Sequence, residues 1–389
     1  MIPRAQTSRP PGWIFALAAA AAFALVFAFY ARAWSPAYGI TRQLCIGREF
    51  DRRGIADFRD TPKFINSQWG FDGQFYAELA LDPLLRNPQL RLALDSPPYR
   101  ARRILLSWTA WAAGLGRPPW VLNAYAALNG VFWIGYAFMS AALFRHLGWA
   151  GFAGFGAMLL TCGVIESMHR SLVDFPAFVL MTLAVMVGGG RGAGIMALAA
   201  LARETTLLGF GGLMEIVRPW RTSAARNLRM ALVAAVPLAL WMAYVAWRLP
   251  MHAAVDGDNM DWPMRALAVR LFTAGSAIQS GGIQWSRWFF DDNLHTVLTV
   301  VSILAQCAYL LIHRDWESGI WRMGVVFVPF FLCIGAQSWA VHFTLTRHAL
   351  PITLAFNLGL AARRGRGWPL WFILGNCFVP YGVLHLIWW

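Results

Sequence analysis

The stretch WIFALAAAAAFALVFAFYARAW, Trp13 to Trp34, carries a single charged residue, Arg32. At about 1.5 Å of helical rise per residue it can cross a hydrocarbon core roughly 30 Å thick. A segment in lipid must satisfy its own backbone groups, so such a run is predicted to be a helix. Similar runs recur to the end of the chain, and Leu17 to Val26 and Leu232 to Trp241 lack the strict alternation that barrel strands need. Composition agrees: 58% of residues are hydrophobic and 13% charged, against about 25% charged in soluble domains.

The expected fold is all-α and polytopic, with about eleven spans near 13–34, 119–145, 148–167, 172–189, 192–203, 206–217, 229–248, 295–313, 320–339, 349–362 and 367–388. The two short pieces on either side of Arg203 read equally well as a broken or re-entrant pair. Residues 104–115 form an apolar segment too short to span, which fits a helix at the membrane interface. Arg4 and Arg9 precede the first run in the order of a signal sequence, but the run is long for a cleaved segment, and a retained span is expected.

Lys and Arg in short loops set orientation. With a cytoplasmic N-terminus, the clusters 218–229 and 363–366 fall inside, and loops 35–102 and 249–294 fall outside. The chain then divides into residues 1–217, which hold loop 35–102, and residues 218–389, which hold loop 249–294. The net charge of +14 is scattered between spans, which argues against a nucleic-acid partner. Trp residues such as Trp13, Trp34, Trp120 and Trp149 sit near span ends, as interfacial anchors do. The five cysteines are far apart and give no disulfide framework or zinc site.

Loop 35–102 carries 18 of the chain's 52 Asp, Glu, Lys and Arg residues, so chemistry is sought there first. In Trp69-Gly-Phe-Asp72-Gly-Gln-Phe-Tyr76 a carboxylate sits between glycine and aromatics, placed to accept a hydroxyl proton, with Gly73 allowing close backbone approach or positive φ. The plainer reading makes Asp72 a helix N-cap. Tyr99-Arg100-Ala-Arg102-Arg103 brings guanidinium groups to the outer interface, where they would bind phosphate or anchor among headgroups. Asp174 in Asp-Phe-Pro and Arg203-Glu204-Thr205 place ions at span ends on the same outer side, for catalysis or as an internal salt bridge. Arg347-His348 is a further phosphate contact or a span-end cation. Asp256, Asp258 and Asp261 lack an EF-hand ligand series and read as a solvated acidic loop. Glycines 151, 154 and 156 read as helix contacts.

In this order and on one side, these residues resemble the C-type (GT-C) superfamily of membrane glycosyltransferases, especially its bacterial branch for cell-surface glycopolymers. Asp72 in Phe-Asp-Gly-Gln-Phe-Tyr stands where that family has its first-loop acid. Tyr99 to Arg103 stands at the segment that binds lipid phosphate, Asp174 at the second-loop acid, and Arg203-Glu204-Thr205 at a recurring basic turn. The resemblance covers roughly residues 10–215, and each motif is short. It departs from the common pattern in having one first-loop acid instead of an adjacent pair, and in showing no large soluble C-terminal domain.

The resemblance implies sugar transfer from a polyprenyl-phosphate donor to a glycan or lipid acceptor, at the outer face of a bacterial inner membrane, with inversion. Asp72 would be the general base. Tyr76, Tyr99, Arg100, Arg102, Arg103, Asp174, Arg203, Glu204, Arg347 and His348 would surround the substrates. No cofactor is expected, and a divalent metal is optional. The rival reading is a transporter or flippase of lipid-linked sugars, for which matched broken helices in two halves would be the mark. Only Arg203-Glu204 looks like such a break.

Overall fold

The computed structural model describes residues 12–216, 220–249, 260–281, 292–339 and 342–388. Asp256 and Asp258 lie outside the described residues, while the Asp261 side chain accepts the Trp262 backbone N–H at 2.7 Å. The described chain is helical, apart from one short parallel strand pair, Ile46–Gly47 with Ile65–Ser67.

Trp13–Ala33, Ser223–Arg248, Asn293–Ile312 and the near-continuous stretch Pro118–His169 are long and apolar enough to cross a membrane. Trp368–Gly375 and Val379–Ile387, bent by 49°, make a fifth if they act as one broken span. Four further apolar helices, Asp174–Val187, Gly189–Ala202, Gly319–Leu332 and Leu350–Arg363, have 14 residues each. At 1.5 Å per residue each reaches only about 21 Å, short of a full hydrocarbon core. Where residues 206–217 are expected to span, Glu204–Gly212 forms a 3-10 helix of nine residues. The helix breaks at Arg203, the position of the broken pair that the sequence left as an alternative, and there the backbone turns to extended angles, φ −160° and ψ 120°.

Gly188 and Gly189, both at positive φ, 68° and 56°, reverse the chain between Asp174–Val187 and Gly189–Ala202. The two helices then run in tight contact, because a Cβ at Gly192 would collide with the Ala184 carbonyl. Asp174 at the start of one helix and Arg203 at the end of the next are thereby returned to the same end of the pair.

Loop 35–102 has its own core. Leu44, Ile46, Phe58, Tyr76, Leu79 and Leu90 are buried together with Ile104, Leu122, Tyr125, Leu201 and Trp241 from the following helices. The helix Trp220–Arg248 clamps this layer with three bonds: Trp241 Nε1 donates to the Ala101 carbonyl (2.8 Å), Tyr244 Oη to Leu84 (2.6 Å) and Arg248 Nε to Leu85 (3.1 Å). Fixed in this way, the polar loop can hold side chains in defined places.

Glu78 is 1% exposed in this layer and accepts the Ile55 N–H at 2.7 Å. Burial pushes its carboxyl up to about 7, against the Ile55 hydrogen bond and Lys63, which favour the charged form. The folded form therefore holds its proton above the usual carboxylate range. Stability from this group is full below the ordinary value near 4.5 and is lost as pH rises through about 7. Glu78→Gln keeps an acceptor for Ile55, and is expected to flatten the loss of denaturation midpoint between pH 5 and 8, by up to about 3 kcal/mol at the alkaline end. Parallel midpoint curves for the two proteins would refute this.

Candidate functional site

The site begins at a turn. Gly70 adopts φ 73°, its N–H donates to Ser67 Oγ (2.9 Å), and the Phe71 N–H donates to the Cys45 carbonyl (2.8 Å). Gln74 locks the turn by accepting the Gly47 N–H (2.8 Å) and donating to the Trp69 carbonyl (3.0 Å). The helix Gly73–Leu81 follows, with Asp72 at its N-cap position. Asp72 makes no side-chain capping bond. Its Oδ1 instead accepts Arg100 Nη2 at 3.0 Å, so the plain N-cap reading fails.

Gly73 is needed for close approach rather than for positive φ, since a Cβ there would strike the carbonyl oxygen of Arg170. That carbonyl belongs to a tight turn in which Ser171 adopts φ 47°. Gly73→Ala is expected to cost about 1–3 kcal/mol by overpacking and to displace Asp72. A variant as stable as the parent would show that the contact relaxes freely.

Pro97 opens the short helix Pro97–Ala101, which carries Tyr99 and Arg100 toward Asp72. Arg100 is held on its other side by Asp95, with Nε to Oδ1 at 2.8 Å and Nη2 to Oδ2 at 2.6 Å. Tyr76, one turn after Asp72 and fully buried, presents its hydroxyl oxygen to Arg103 Nη1 (3.1 Å) and Arg100 Nη1 (3.5 Å). Arg103 also donates to Tyr99 Oη (2.8 Å) and grips Glu204 in bidentate fashion, at 2.9 and 2.7 Å. Arg102 lies against the Tyr99 ring, 5.0 Å from its centroid.

Asp174 receives two arginines: Arg203 at Oδ1, in a close ion pair, and Arg347 at Oδ2, at 3.2 Å. Arg347 also donates to Thr344 Oγ1 (3.2 Å), and His348 Nδ1 lies 2.8 Å from the Thr344 carbonyl. Asp174, Arg203, Arg347 and His348 line a cavity of about 20 Å³, room for roughly one water.

These two groups share an electrostatic neighbourhood. Burial works to raise the Asp72 carboxyl, but Arg100, Arg347 and Arg103 outweigh it and hold Asp72 below its ordinary range. Asp72 is thus an ionised, half-buried carboxylate whose only described hydrogen bond uses one oxygen. Four carboxylates, Asp72, Asp95, Asp174 and Glu204, face four guanidinium groups, Arg100, Arg103, Arg203 and Arg347. Charge balance of this kind is the usual condition for burying ions.

Of the ten sequence-derived substrate residues other than Asp72, Tyr76 lies inside the helix Gly73–Leu81 and the rest lie at or beside helix ends, and Tyr76, Arg100 and Arg103 bond to one another or to Asp72 as described. The motif reading passed over Asp95, the second partner of Arg100, and over Arg170. Arg170 lies 4.1 Å from the Phe71 ring centroid and pairs closely with Glu166. Glu166 falls inside the expected span 148–167 and Arg170 just beyond its end, and ions so placed were the available signal. Among the described residues no group of three or more His, Cys, Asp or Glu side chains is arranged to hold a metal ion. Comparison of the chain with protein-family models, with curated proteins and with solved structures returns no match.

Proposed function

We propose that this chain is a polytopic membrane glycosyltransferase of the GT-C type, with a site open to the outer face, that moves a sugar from a polyprenyl-phosphate donor to a glycan or lipid acceptor. The observation that carries the reading is the ionised carboxylate of Asp72 set among Arg100, Arg103 and Arg347. The acceptor hydroxyl attacks the anomeric carbon, the bond from that carbon to the phosphate oxygen breaks, and polyprenyl phosphate leaves. The hydroxyl proton passes to Asp72.

A carboxylate held ionised by Arg100 is a weak base toward a resting hydroxyl. It becomes competent as the new C–O bond forms and the hydroxyl grows acidic, which confines its effect to the transition state. Guanidinium groups fixed nearby stabilise the charge growing on the leaving phosphate without moving at the moment of reaction. Attack from the face opposite the phosphate inverts the anomeric centre.

Purified protein supplied with a defined polyprenyl-phosphate sugar and a glycan acceptor is expected to release polyprenyl phosphate in step with new glycosidic product. Movement of intact lipid-linked sugar across a proteoliposome membrane with no product would replace the transferase with a flippase.

A further inference from the structure

Phe71, the residue before Asp72, lines a cleft of about 540 Å³. That volume falls within the range of small-molecule sites, and it far exceeds the space beside Asp174. Among the described residues two cations and no acid line it. Arg42 and Arg170 supply the charge, Phe64 and Phe71 the flat apolar surfaces, Asn66 and Ser67 the neutral polar groups.

The walls are braced. Asn66 accepts the Ile46 N–H (3.1 Å) and donates to the Arg42 carbonyl (2.9 Å), while Ser67 Oγ accepts the Gly70 N–H and so keeps its own hydrogen for a ligand. Arg42 lies over the Phe64 ring, 5.4 Å from its centroid, and Arg170 over Phe71. Arg170 is anchored from behind through Nε by Glu166, which has no exposed surface and also faces His385 Nδ1 at 3.3 Å. Glu166 answers Arg170 from behind, as carboxylates answer the arginines of the Asp72 network, and no acid among the described residues lines the cleft itself.

We infer that this cleft is an anion-recognising subsite that takes the phosphate or carboxylate of a sugar, with Arg42 and Arg170 on the anion and Phe64 and Phe71 against the sugar faces. Guanidinium groups suit such oxyanions because their donors match them in pairs, and aromatic rings take the apolar face of a pyranose. The site deepens the transferase reading and rests on it only for the ligand's role as acceptor, since Asp72 follows Phe71 directly. Glu166 is a positioning residue that acts through Arg170.

The test uses the full-length protein in nanodiscs and glucose 6-phosphate as probe, with binding followed by calorimetry. Arg42→Gln, at an exposed position, is expected to weaken the probe by at least about tenfold, and Arg170→Gln by more. Uncharged glucose is expected to bind at least about tenfold more weakly than the phosphate, and Asp72→Asn to bind the probe as the parent does. Competition by vesicles doped with polyprenyl phosphate would assign the anion to a lipid headgroup, and competition by free galacturonate to a glycan; either supports the subsite. Equal binding of glucose and its phosphate, an unaltered Arg42→Gln, loss of the probe in Asp72→Asn, or no binding at all would each overturn it. Probe binding without any sugar transfer would leave the subsite standing and remove the transferase reading, whereas transfer unaffected by Arg42→Gln with no probe bound would do the reverse.

Discussion

Asp72→Asn is expected to lower sugar transfer by roughly 10²- to 10⁴-fold, with the protein still folded and extracted in normal yield. The substitution keeps size and one acceptor oxygen for Arg100, and removes the charge and the proton acceptor. Asp95 continues to hold Arg100 through two bonds, so the guanidinium is not abandoned in a buried place. Transfer should fall through the catalytic rate more than through donor affinity, because the proton moves only as the new bond forms. An Asp72→Asn protein that turns over at the parental rate would remove this carboxylate from the chemistry, whatever its position.

The other large effect is on stability. Asp174→Ala leaves Arg203 and Arg347, both nearly buried, beside each other with their shared carboxylate gone. Removing one partner of a buried ion pair costs about 3–5 kcal/mol, mostly because the charge left behind has no compensation. A marked fall in the denaturation midpoint in detergent is therefore expected, together with loss of activity. Arg347→Met in the Asp174→Ala background should recover part of the midpoint by removing one stranded charge. A protein that loses activity at an unchanged midpoint would instead make Asp174 a group of the reaction rather than of the framework.

The two substitutions separate roles that the sequence left merged. Both acids are expected on the outer side and both carry the same resemblance, yet the structure gives them different surroundings. Asp72 is half-buried with one described partner and follows Phe71, which lines the 540 Å³ cleft, whereas Asp174 is gripped from two sides at a cavity of about 20 Å³. The first arrangement leaves a carboxylate oxygen for a substrate. The second is what a structural salt bridge looks like, and of the alternatives open for Asp174 and Arg203 it is the one their contacts favour.

The same comparison bears on the arginines. Spacing suggested that Arg102 and Arg103 would meet a phosphate, but Arg103 makes two bonds to Glu204 and one to each of the Tyr76 and Tyr99 hydroxyls. Arg100, two or three residues away, is the one that touches Asp72. Arg100 lies on the short helix Pro97–Ala101 while Arg102 and Arg103 follow its end, and only packing fixes which of them meets the carboxylate.

What the sequence determined by itself is the solvent of the chain and the identity of its polar island: apolar runs longer than a bilayer core demand helices, and local composition is enough to show that. It also marked Asp72, as a carboxylate between glycine and aromatics in that island, and Arg203 and Asp174, because an ion at the end of an apolar run needs a reason to be there. Only the tertiary structure decided which ion answers which, that several apolar helices are too short to cross alone, and that Arg42 and Arg170 meet at one cleft from residues 128 positions apart. Pairing across such separations depends on how helices return and where glycines let backbones touch, as at Gly73 and Gly192, and neither is written in the hydropathy of any single segment.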